Sequence, residues 1–182
     1  WDSELIESGE QVVRYRQTYV TGLRDSVREL GKRLLGAEVE IGLHQGWSAE
    51  RGLAEALELS FARDLERGMT HAGPHRADLS IKVSGETARD RVSRGQQKLL
   101  ASAMLLGQLK HDSNLGSGVA TLLVDDPAAE LDPSHLERLL REVLSLPSQL
   151  FITSLDPVNP VLRGLPEGRR FHVERGVVSS LL

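Results

Sequence analysis

Two adjacent acidic residues, Asp125 and Asp126, follow directly after the apolar run of residues 120–124. A continuous apolar run of this length is typical of a strand that is covered on both faces. The carboxyl end of such a strand opens onto the crevice in which α/β sheets bind their ligands. Carboxylates at this position can hold Mg²⁺ through water and can polarise a nucleophile. On these residues alone, the alternative is that the two acids are simply solvated or cap a helix.

A second group of residues with possible chemistry is the segment Ser93-Arg94-Gly95-Gln96-Gln97-Lys98, which opens an apolar helix. Ser93 is a good N-terminal cap for that helix, and the free N–H groups of a helix start form an anion site. Gly95 lets a phosphate approach the backbone closely, because it has no side chain. The alternative is an ordinary capped helix. A third acid, Asp132, lies six residues after Asp126.

The last third of the chain predicts the sheet that positions the acid pair. Residues 150–152 form a second apolar run, and Pro133 begins a helix that lies between it and residues 120–124. A strand, a helix and a strand at this spacing predict a βαβ unit in a parallel sheet. Residues 171–178 surround the Arg175-Gly176 turn and predict a closing hairpin.

A long amphipathic helix opens the chain. From residue 3 to about residue 35, apolar residues recur every seven positions, a period that predicts a helix in need of a partner surface. The residues that carry this period are Val13, Val20, Val27 and Leu34. The other faces of the helix are basic, which indicates either a solvated surface or a patch that faces DNA. The basic residues are Arg14, Arg16, Arg24, Arg28, Lys32 and Arg33.

Between this helix and Ser93, the pattern predicts a mixture of strands and helix. Residues 39–43 and 79–83 alternate between apolar and polar side chains, which is typical of half-buried strands. Ser48 is expected to cap a helix that ends near Gly68. After Ser93, a helix is expected over residues 96–110 and a surface loop over residues 111–118.

The composition excludes several classes of protein. The chain has 182 residues, of which 40% are hydrophobic and 26% charged, and it has no cysteine. These values describe an ordinary globular chain and exclude disulfides and thiolate metal sites. No apolar run is long enough to span a bilayer, so no membrane is expected among the partners. The absence of cysteine suits a reducing cytoplasm, which is the expected location. Because the net charge is −4, any contact with nucleic acid needs a local basic face.

Four motifs in order resemble the RecF family of ABC ATPases. Residues 93–98 resemble the family's signature motif, residues 122–126 its Walker B strand, and Glu130-Leu131-Asp132 its D-loop. Residues 73–79, Gly-Pro-His-Arg-Ala-Asp-Leu, match a further RecF motif that is shared loosely with RecN-like relatives. The resemblance implies an α/β fold, in which residues 71–182 form the C-terminal lobe of an ABC ATPase head with a parallel βαβ core and a terminal hairpin. Residues 1–70 would form a helical arm subdomain.

The resemblance also implies catalytic roles for the acids. Asp125 would coordinate the Mg²⁺ that accompanies ATP. Asp126 would take the position where most ABC ATPases carry a catalytic glutamate, which orients the attacking water. Asp132 would act across the interface of a dimer.

The remaining motif residues are implied to bind nucleotide. Ser93 and Gly95 would contact the γ-phosphate of an ATP that is held by a second subunit. Gln96 would help to position this loop, which also contributes Arg94. His75-Arg76 would brace the nucleotide site or the signature helix, or would only satisfy backbone carbonyls.

One motif of the family is not present in these residues. It is the phosphate-binding loop, Gly-x-x-Gly-x-Gly-Lys-Ser/Thr, which the family carries in its N-terminal half. We therefore expect a C-terminal fragment that binds ATP weakly by itself and hydrolyses nothing, whereas the full-length dimer is expected to be a weak ATPase. The switch histidine of many ABC ATPases is also absent, and Ser154 lies roughly at its position.

The function that the resemblance implies is an ATP-dependent dimeric clamp on DNA, acting at single-strand gaps or ends in replication, recombinational repair and the SOS response. The implied partners are single-stranded or gapped duplex DNA, a second copy of the chain, and repair proteins of the RecR and RecO type. Two alternatives stay open. One is a non-catalytic ABC-like scaffold or interaction module, and the other is the head of another SMC-like or RecN-like ATPase.

A zinc site is a further hypothesis, because His71 and His75 lie four residues apart. That spacing suits a metal on a helix, but Gly73-Pro74 interrupts any helix between them. No third ligand is evident nearby, so the zinc site is not expected.

Overall fold

The structure is a computed structural model that describes residues 2–114, 116, 119–156 and 158–181. Helix α1 (Asp2–Leu35) confirms the predicted opening helix, and the four residues of its seven-residue period are all buried. Val20 and Val27 belong to one cluster of buried residues, whereas Leu34 belongs to another. The single long helix therefore contributes to successive parts of the core.

A small antiparallel sheet packs against α1. It contains β1 (Val39–His44), β2 (Asp78–Val83) and β3 (Glu86–Thr87). Val39 lies opposite Val83 in the register, which agrees with the predicted alternation of both strands. Because β1 comes before residue 70 and β2 comes after it, this sheet spans the predicted boundary between residues 1–70 and 71–182. The division into arm and head lobe therefore stays a prediction.

Helix α2 (Leu53–Arg67) begins later than predicted. Its N-cap is Gly52, without a side-chain hydrogen bond, so the prediction that Ser48 caps this helix is wrong. The Ser48 hydroxyl instead accepts a hydrogen bond from the N–H of Glu50 within the preceding turn. The helix ends as expected at Gly68, whose φ of 65° lies in the left-handed region that favours glycine.

The short helix α3 (Ala88–Arg91) leads into helix α4 (Arg94–Asn114), which packs along α1. The two helices approach closely at Gly107, where an added Cβ would lie 2.8 Å from Cγ2 of Val27. Helix α4 continues through residues 111–114, so the predicted loop over residues 111–118 is wrong for those four. Residues 115, 117 and 118 lie outside the described residues.

The last third of the chain forms the predicted βαβ unit. Strands β4 (Ala120–Val124) and β5 (Ser148–Ile152) pair in parallel. Between them lie α5 (Pro127–Glu130), a single turn that the pattern did not predict, and α6 (Pro133–Leu144), which begins at Pro133 as predicted. Apolar residues of α6 pack with those of α1 and α4 in one buried cluster. The predicted α/β class and parallel pairing are confirmed.

Only one face of β4 and β5 is covered in the described part of the chain. Leu122 and Leu150 pack against the buried cluster of α1, α4 and α6. On the other face, Leu123 is 74% exposed and Phe151, which lies opposite it, is 50% exposed. Successive side chains of a strand point to opposite faces. The expectation that both faces are covered is therefore wrong for the described residues, which leave an apolar surface open.

The chain ends in the predicted hairpin. After helix α7 (Pro160–Arg163), strands β6 (Arg170–Glu174) and β7 (Val177–Leu181) pair around Arg175 and Gly176, whose φ values are 50° and 81°. All residues of both strands are exposed, including the apolar ones. None of the described helices is long and apolar enough to cross a membrane.

Candidate functional site

The acid pair lies at the carboxyl end of β4, as predicted from the sequence. Asp125 is exposed, and its Oδ1 accepts a hydrogen bond of 2.5 Å from the hydroxyl of Thr153. Thr153 follows directly after β5, and its N–H donates to the carbonyl of Val124 over 3.0 Å. The contact joins residues that are 28 positions apart in the chain. No motif singled out Thr153, and the parallel pairing of β4 with β5 brings it to the site.

Asp126 has an unusual backbone conformation. Its φ of 35° and ψ of 54° lie in the left-handed region, which few residues other than glycine, asparagine and aspartate adopt. Its N–H donates to Oγ1 of Thr153 over 2.9 Å. Although it is the N-cap of α5, its side chain makes no capping bond, so the capping alternative does not account for this carboxylate. The carboxylate has no hydrogen-bond partner among the described residues.

The start of α4 is a reciprocal capping box. The N–H of Ser93 donates to Oε1 of Gln96 over 2.9 Å, and the N–H of Gln96 donates to Oγ of Ser93 over 3.3 Å. Within the described residues, the N–H groups of Arg94 and Gly95 meet no acceptor. Residues 93–98 are all exposed, and a Cβ added to Gly95 would have no atom within 4 Å. This helix start is therefore capped and still open to an anion, which fits the predicted phosphate site.

An ion pair connects the two motifs. Nζ of Lys98 in α4 lies 2.6 Å from Oε1 of Glu130 at the end of α5, and both side chains are about half exposed. Both residues line a small open cavity that also includes Asp125. Lys98 and Glu130 belong to separate motifs, and neither motif predicts this contact. The ion pair links the signature helix to the segment that follows the acid pair.

Asp132 is the N-cap of α6. Its Oδ1 accepts hydrogen bonds from the N–H and the hydroxyl of Ser134 and from the N–H of His135, over 3.0, 2.8 and 3.2 Å. Its Oδ2 pairs with Nδ1 of the His135 ring. These bonds hold the pKa of Asp132 well below its usual value of 3.8, and the bond from the His135 ring has the largest effect. The carboxylate thus has a structural role within its own chain, and its role across a dimer interface stays a prediction.

This cap predicts a specific dependence of stability on pH. A carboxyl group with a lowered pKa stabilises the fold above its ordinary pKa, and this contribution is lost as the pH falls from there towards the folded-state pKa. We expect Asp132→Asn to retain most of the cap at neutral pH, because asparagine is also a good N-cap. The wild-type melting temperature should therefore fall more than that of Asp132→Asn between about pH 5 and pH 2.

Asp132→Ala serves as the control for this measurement, because it removes the cap itself. Its melting temperature should be lower than that of both other proteins at neutral pH. Equal losses of melting temperature on acidification of wild type and Asp132→Asn would show that the carboxylate contributes nothing through its charge.

His75 and Arg76 lie in a short turn of helix over residues 74–76. Nε2 of His75 lies 2.9 Å from the carbonyl oxygen of Thr70, and the side chain of Arg76 is exposed. The turn is attached to α1 by a 2.7 Å hydrogen bond from Arg16 to the carbonyl of Pro74. The observed His75 contact matches the alternative of satisfying a backbone carbonyl. The predicted role in bracing the nucleotide site stays a prediction for both residues.

His71 has a partner other than a metal in this structure. Its Nδ1 lies 2.6 Å from Oδ1 of Asp64, and the hydroxyl of Ser60 donates to Oδ2 of the same carboxylate over 2.7 Å. All three side chains are largely buried at the end of α2. In the described ranges, no group of three metal-ligating side chains comes together. The geometry assigns His71 to anchoring the segment after α2.

Most of the basic residues of α1 have partners within the chain. The contacts are Arg14 with Glu10, Arg16 with Pro74, Arg24 with Ile41, Arg28 with Asp25, and Arg33 with Glu142. Side chains that are held by neighbouring carboxylates and carbonyls have fewer donors to offer to a phosphate backbone. The solvated helix surface and the patch that faces DNA both stay predictions.

Comparison with known proteins identifies relatives over the whole length of the chain. It is 37% identical over 184 residues to the DNA replication and repair protein RecF of Shewanella baltica (strain OS155), an alignment that covers 100% of this chain and 51% of the relative. The protein of the same name from Shewanella frigidimarina is 37% identical over 188 residues, with the same two coverages. Over its whole length, the chain is similar to proteins of the RecF family. It spans about half the length of the curated RecF relatives that it matches.

Solved RecF structures have the same fold. A structure of the recombination mediator protein RecF with ATP matches with a TM-score of 0.79 at 23% identity, covering 100% of this chain and 49% of that one. A second structure of RecF, with ATPrS, matches with a TM-score of 0.78. At this identity, the likeness shows the fold of the RecF half and nothing about its ligands. No family model matches this chain.

Proposed function

We propose that this chain is part of an ATP-dependent DNA clamp of the RecF type, acting in DNA replication and repair. The proposal rests on the two candidate nucleotide-binding motifs of this RecF-like chain, the helix start and the acid pair. The helix start at Ser93 is folded and exposed, and in the acid pair Asp125 is exposed and Asp126 half-buried. A phosphate fits the first, and Mg²⁺ with a water molecule fits the second.

The helix start would bind the γ-phosphate of an ATP that the partner subunit holds. The N–H groups of Arg94 and Gly95 point from the positive end of the α4 dipole, which attracts negative charge. The exposed Arg94 side chain adds a cation beside the same loop. The contact forms only when two subunits meet, because the phosphate belongs to a nucleotide on the other subunit. Nucleotide binding would therefore stabilise the dimer by mass action.

The acid pair would serve the nucleotide bound to its own subunit. Asp125 offers carboxylate oxygen, the ligand that Mg²⁺ prefers. When bound, Mg²⁺ neutralises phosphate charge and polarises the phosphoryl group. Asp126 would orient the attacking water with its unpaired carboxylate. An aspartate reaches about one methylene less far than a glutamate, so we expect slow hydrolysis.

The exposed face of β4 and β5 supports the proposal that a further part of a RecF-length protein covers this surface. Curated relatives are about twice as long as this chain, and an open apolar sheet face is normally covered in a folded protein. The covering part would also supply the phosphate-binding loop. On this proposal, residues 1–70 act as an arm, and gapped DNA and RecR-type and RecO-type proteins are the partners.

The test is the oligomeric state of a full-length RecF-family protein that contains this chain. Its mass would be measured by light scattering with and without ATP and Mg²⁺, and retention of gapped duplex DNA would be measured in both states. We expect monomers without ATP, dimers with ATP, and DNA retention by the dimer. The scaffold alternative predicts no effect of ATP on mass or on DNA retention. A protein that binds ATP but stays monomeric would overturn the clamp proposal.

A further inference from the structure

We infer that Thr153 is a positioning residue that holds both acids of the candidate site in their working geometry. Thr153 lies in none of the four RecF motifs, and the inference rests on the proposed function of Asp125 and Asp126. Within the described chain, its hydroxyl is the one group that forms hydrogen bonds with both residues.

The direction of these hydrogen bonds follows from the chemistry of the groups. The backbone N–H of Asp126 can only donate, so Oγ1 of Thr153 must accept over the 2.9 Å between them. The ionised carboxylate of Asp125 can only accept, so the hydroxyl proton must point to its Oδ1. A third bond, from the N–H of Thr153 to the carbonyl of Val124, fixes the backbone that carries the hydroxyl. The hydroxyl therefore forms a relay of two hydrogen bonds, one accepted from Asp126 and one donated to Asp125, which joins the ends of β4 and β5.

Each acid depends on this relay in a different way. Oδ1 of Asp125 is engaged, which fixes the rotation of the carboxylate and leaves Oδ2 as the oxygen without a protein partner in the described structure. Asp126 is held with φ at 35°, in the left-handed region, which aspartate enters more readily than most residues but which still benefits from support by its surroundings. The bond from its N–H to Thr153 is such a support. Removing the hydroxyl should therefore disturb the metal-facing carboxylate and the water-facing one together.

Thr153 does this through its hydroxyl and not through core packing, because the residue is exposed. The neighbouring Ser154 is not an equivalent candidate. Its hydroxyl accepts from the N–H of Asp156 and donates to the carbonyl of the same residue, each over 3.2 Å, within the turn after β5. Ser154 occupies the approximate position of the switch histidine, yet the contact with the acids comes from the residue before it.

A matched pair of substitutions separates the hydroxyl from the shape of the side chain. Thr153→Val keeps the branched shape and removes the donor and acceptor, whereas Thr153→Ser keeps the hydroxyl and removes a methyl group. In the full-length ATPase, we expect Thr153→Val to lower kcat by about 10–100-fold, the usual effect of losing a group that orients a metal ligand. The KM for ATP and ATP-dependent dimerisation should change little. Thr153→Ser should restore most of the turnover.

Two readouts do not depend on turnover. The Mg²⁺ concentration needed for half-maximal binding of a fluorescent ATP analogue should rise in Thr153→Val and stay near the wild-type value in Thr153→Ser. In the 182-residue chain itself, hydrogen exchange of the Asp126 amide should be faster in Thr153→Val, because its acceptor is gone, and remain slow in Thr153→Ser.

The outcomes distinguish this inference from the proposed function. A wild-type protein that neither binds ATP nor dimerises would end the clamp proposal, while the exchange experiment would still report on the relay. The role of Thr153 would be overturned if the wild-type protein binds ATP and turns it over while Thr153→Val shows unchanged turnover, Mg²⁺ dependence and amide exchange. The clamp proposal would then remain intact.

Discussion

Ser93→Arg is expected to leave ATP binding intact and to abolish ATP-dependent dimerisation of the full-length protein. The long side chain of arginine would fill the open space in front of Gly95. The substitution would also remove the hydroxyl that caps the N–H of Gln96. Neither effect touches Asp125 or the phosphate-binding loop that the proposal assigns to the rest of the protein. The substitution should prevent the N–H groups of Arg94 and Gly95 from donating to the γ-phosphate. Each hydrogen bond to a charged group contributes about 1.5–3 kcal/mol, so losing these two should weaken the dimer at least about 100-fold.

The measurement is light scattering across a range of protein concentrations with saturating ATP, paired with equilibrium binding of a labelled ATP analogue. Ser93→Ala is the control, because it removes the capping hydroxyl without adding bulk. It should lower the melting temperature somewhat and retain part of the dimerisation. Dimers of wild-type affinity in Ser93→Arg would show that the start of α4 does not meet the nucleotide of another subunit.

Asp126→Asn is expected to keep the ATP-bound dimer and to stop most of its turnover. Asparagine is among the few residues that tolerate the left-handed conformation of Asp126, so the backbone and its N–H bond to Thr153 should persist. The amide cannot accept a proton from water. General-base assistance typically accelerates a reaction about 10²–10⁴-fold, so kcat should fall by a factor in that range. Because ATP stabilises the dimer in the proposed function, a protein that hydrolyses ATP more slowly should also keep its dimer longer.

The control for the lost charge is Asp25→Asn, which removes the same charge from an exposed position on α1. Turnover of this control should match that of wild type. Steady-state phosphate release and the lifetime of the dimer after removal of free ATP would be measured for all three proteins. Undiminished phosphate release by Asp126→Asn would remove this residue from the mechanism.

Local patterns predicted most elements of this fold, because their causes are local. The seven-residue period of α1 marked its buried stripe from Val13 to Leu34, since side chains at that spacing share one face of a helix. Ser93 and Gln96 form a capping box because residues three apart meet at a helix start. The start of α2 was missed because nothing local distinguishes a turn serine such as Ser48 from a helix cap.

The sequence by itself determined the acid pair at a strand end, the capped helix start, the βαβ order and, through its motifs, the resemblance to the RecF family. Only the tertiary structure decided which groups surround them. The Thr153 hydroxyl meets Asp125, and Lys98 meets Glu130, because parallel strand pairing and helix packing bring together residues far apart in the chain. Likewise, a continuous apolar run indicates that both faces of a strand can be buried. Whether each face is covered depends on the elements packed around it, and Leu123 stays 74% exposed in the described chain.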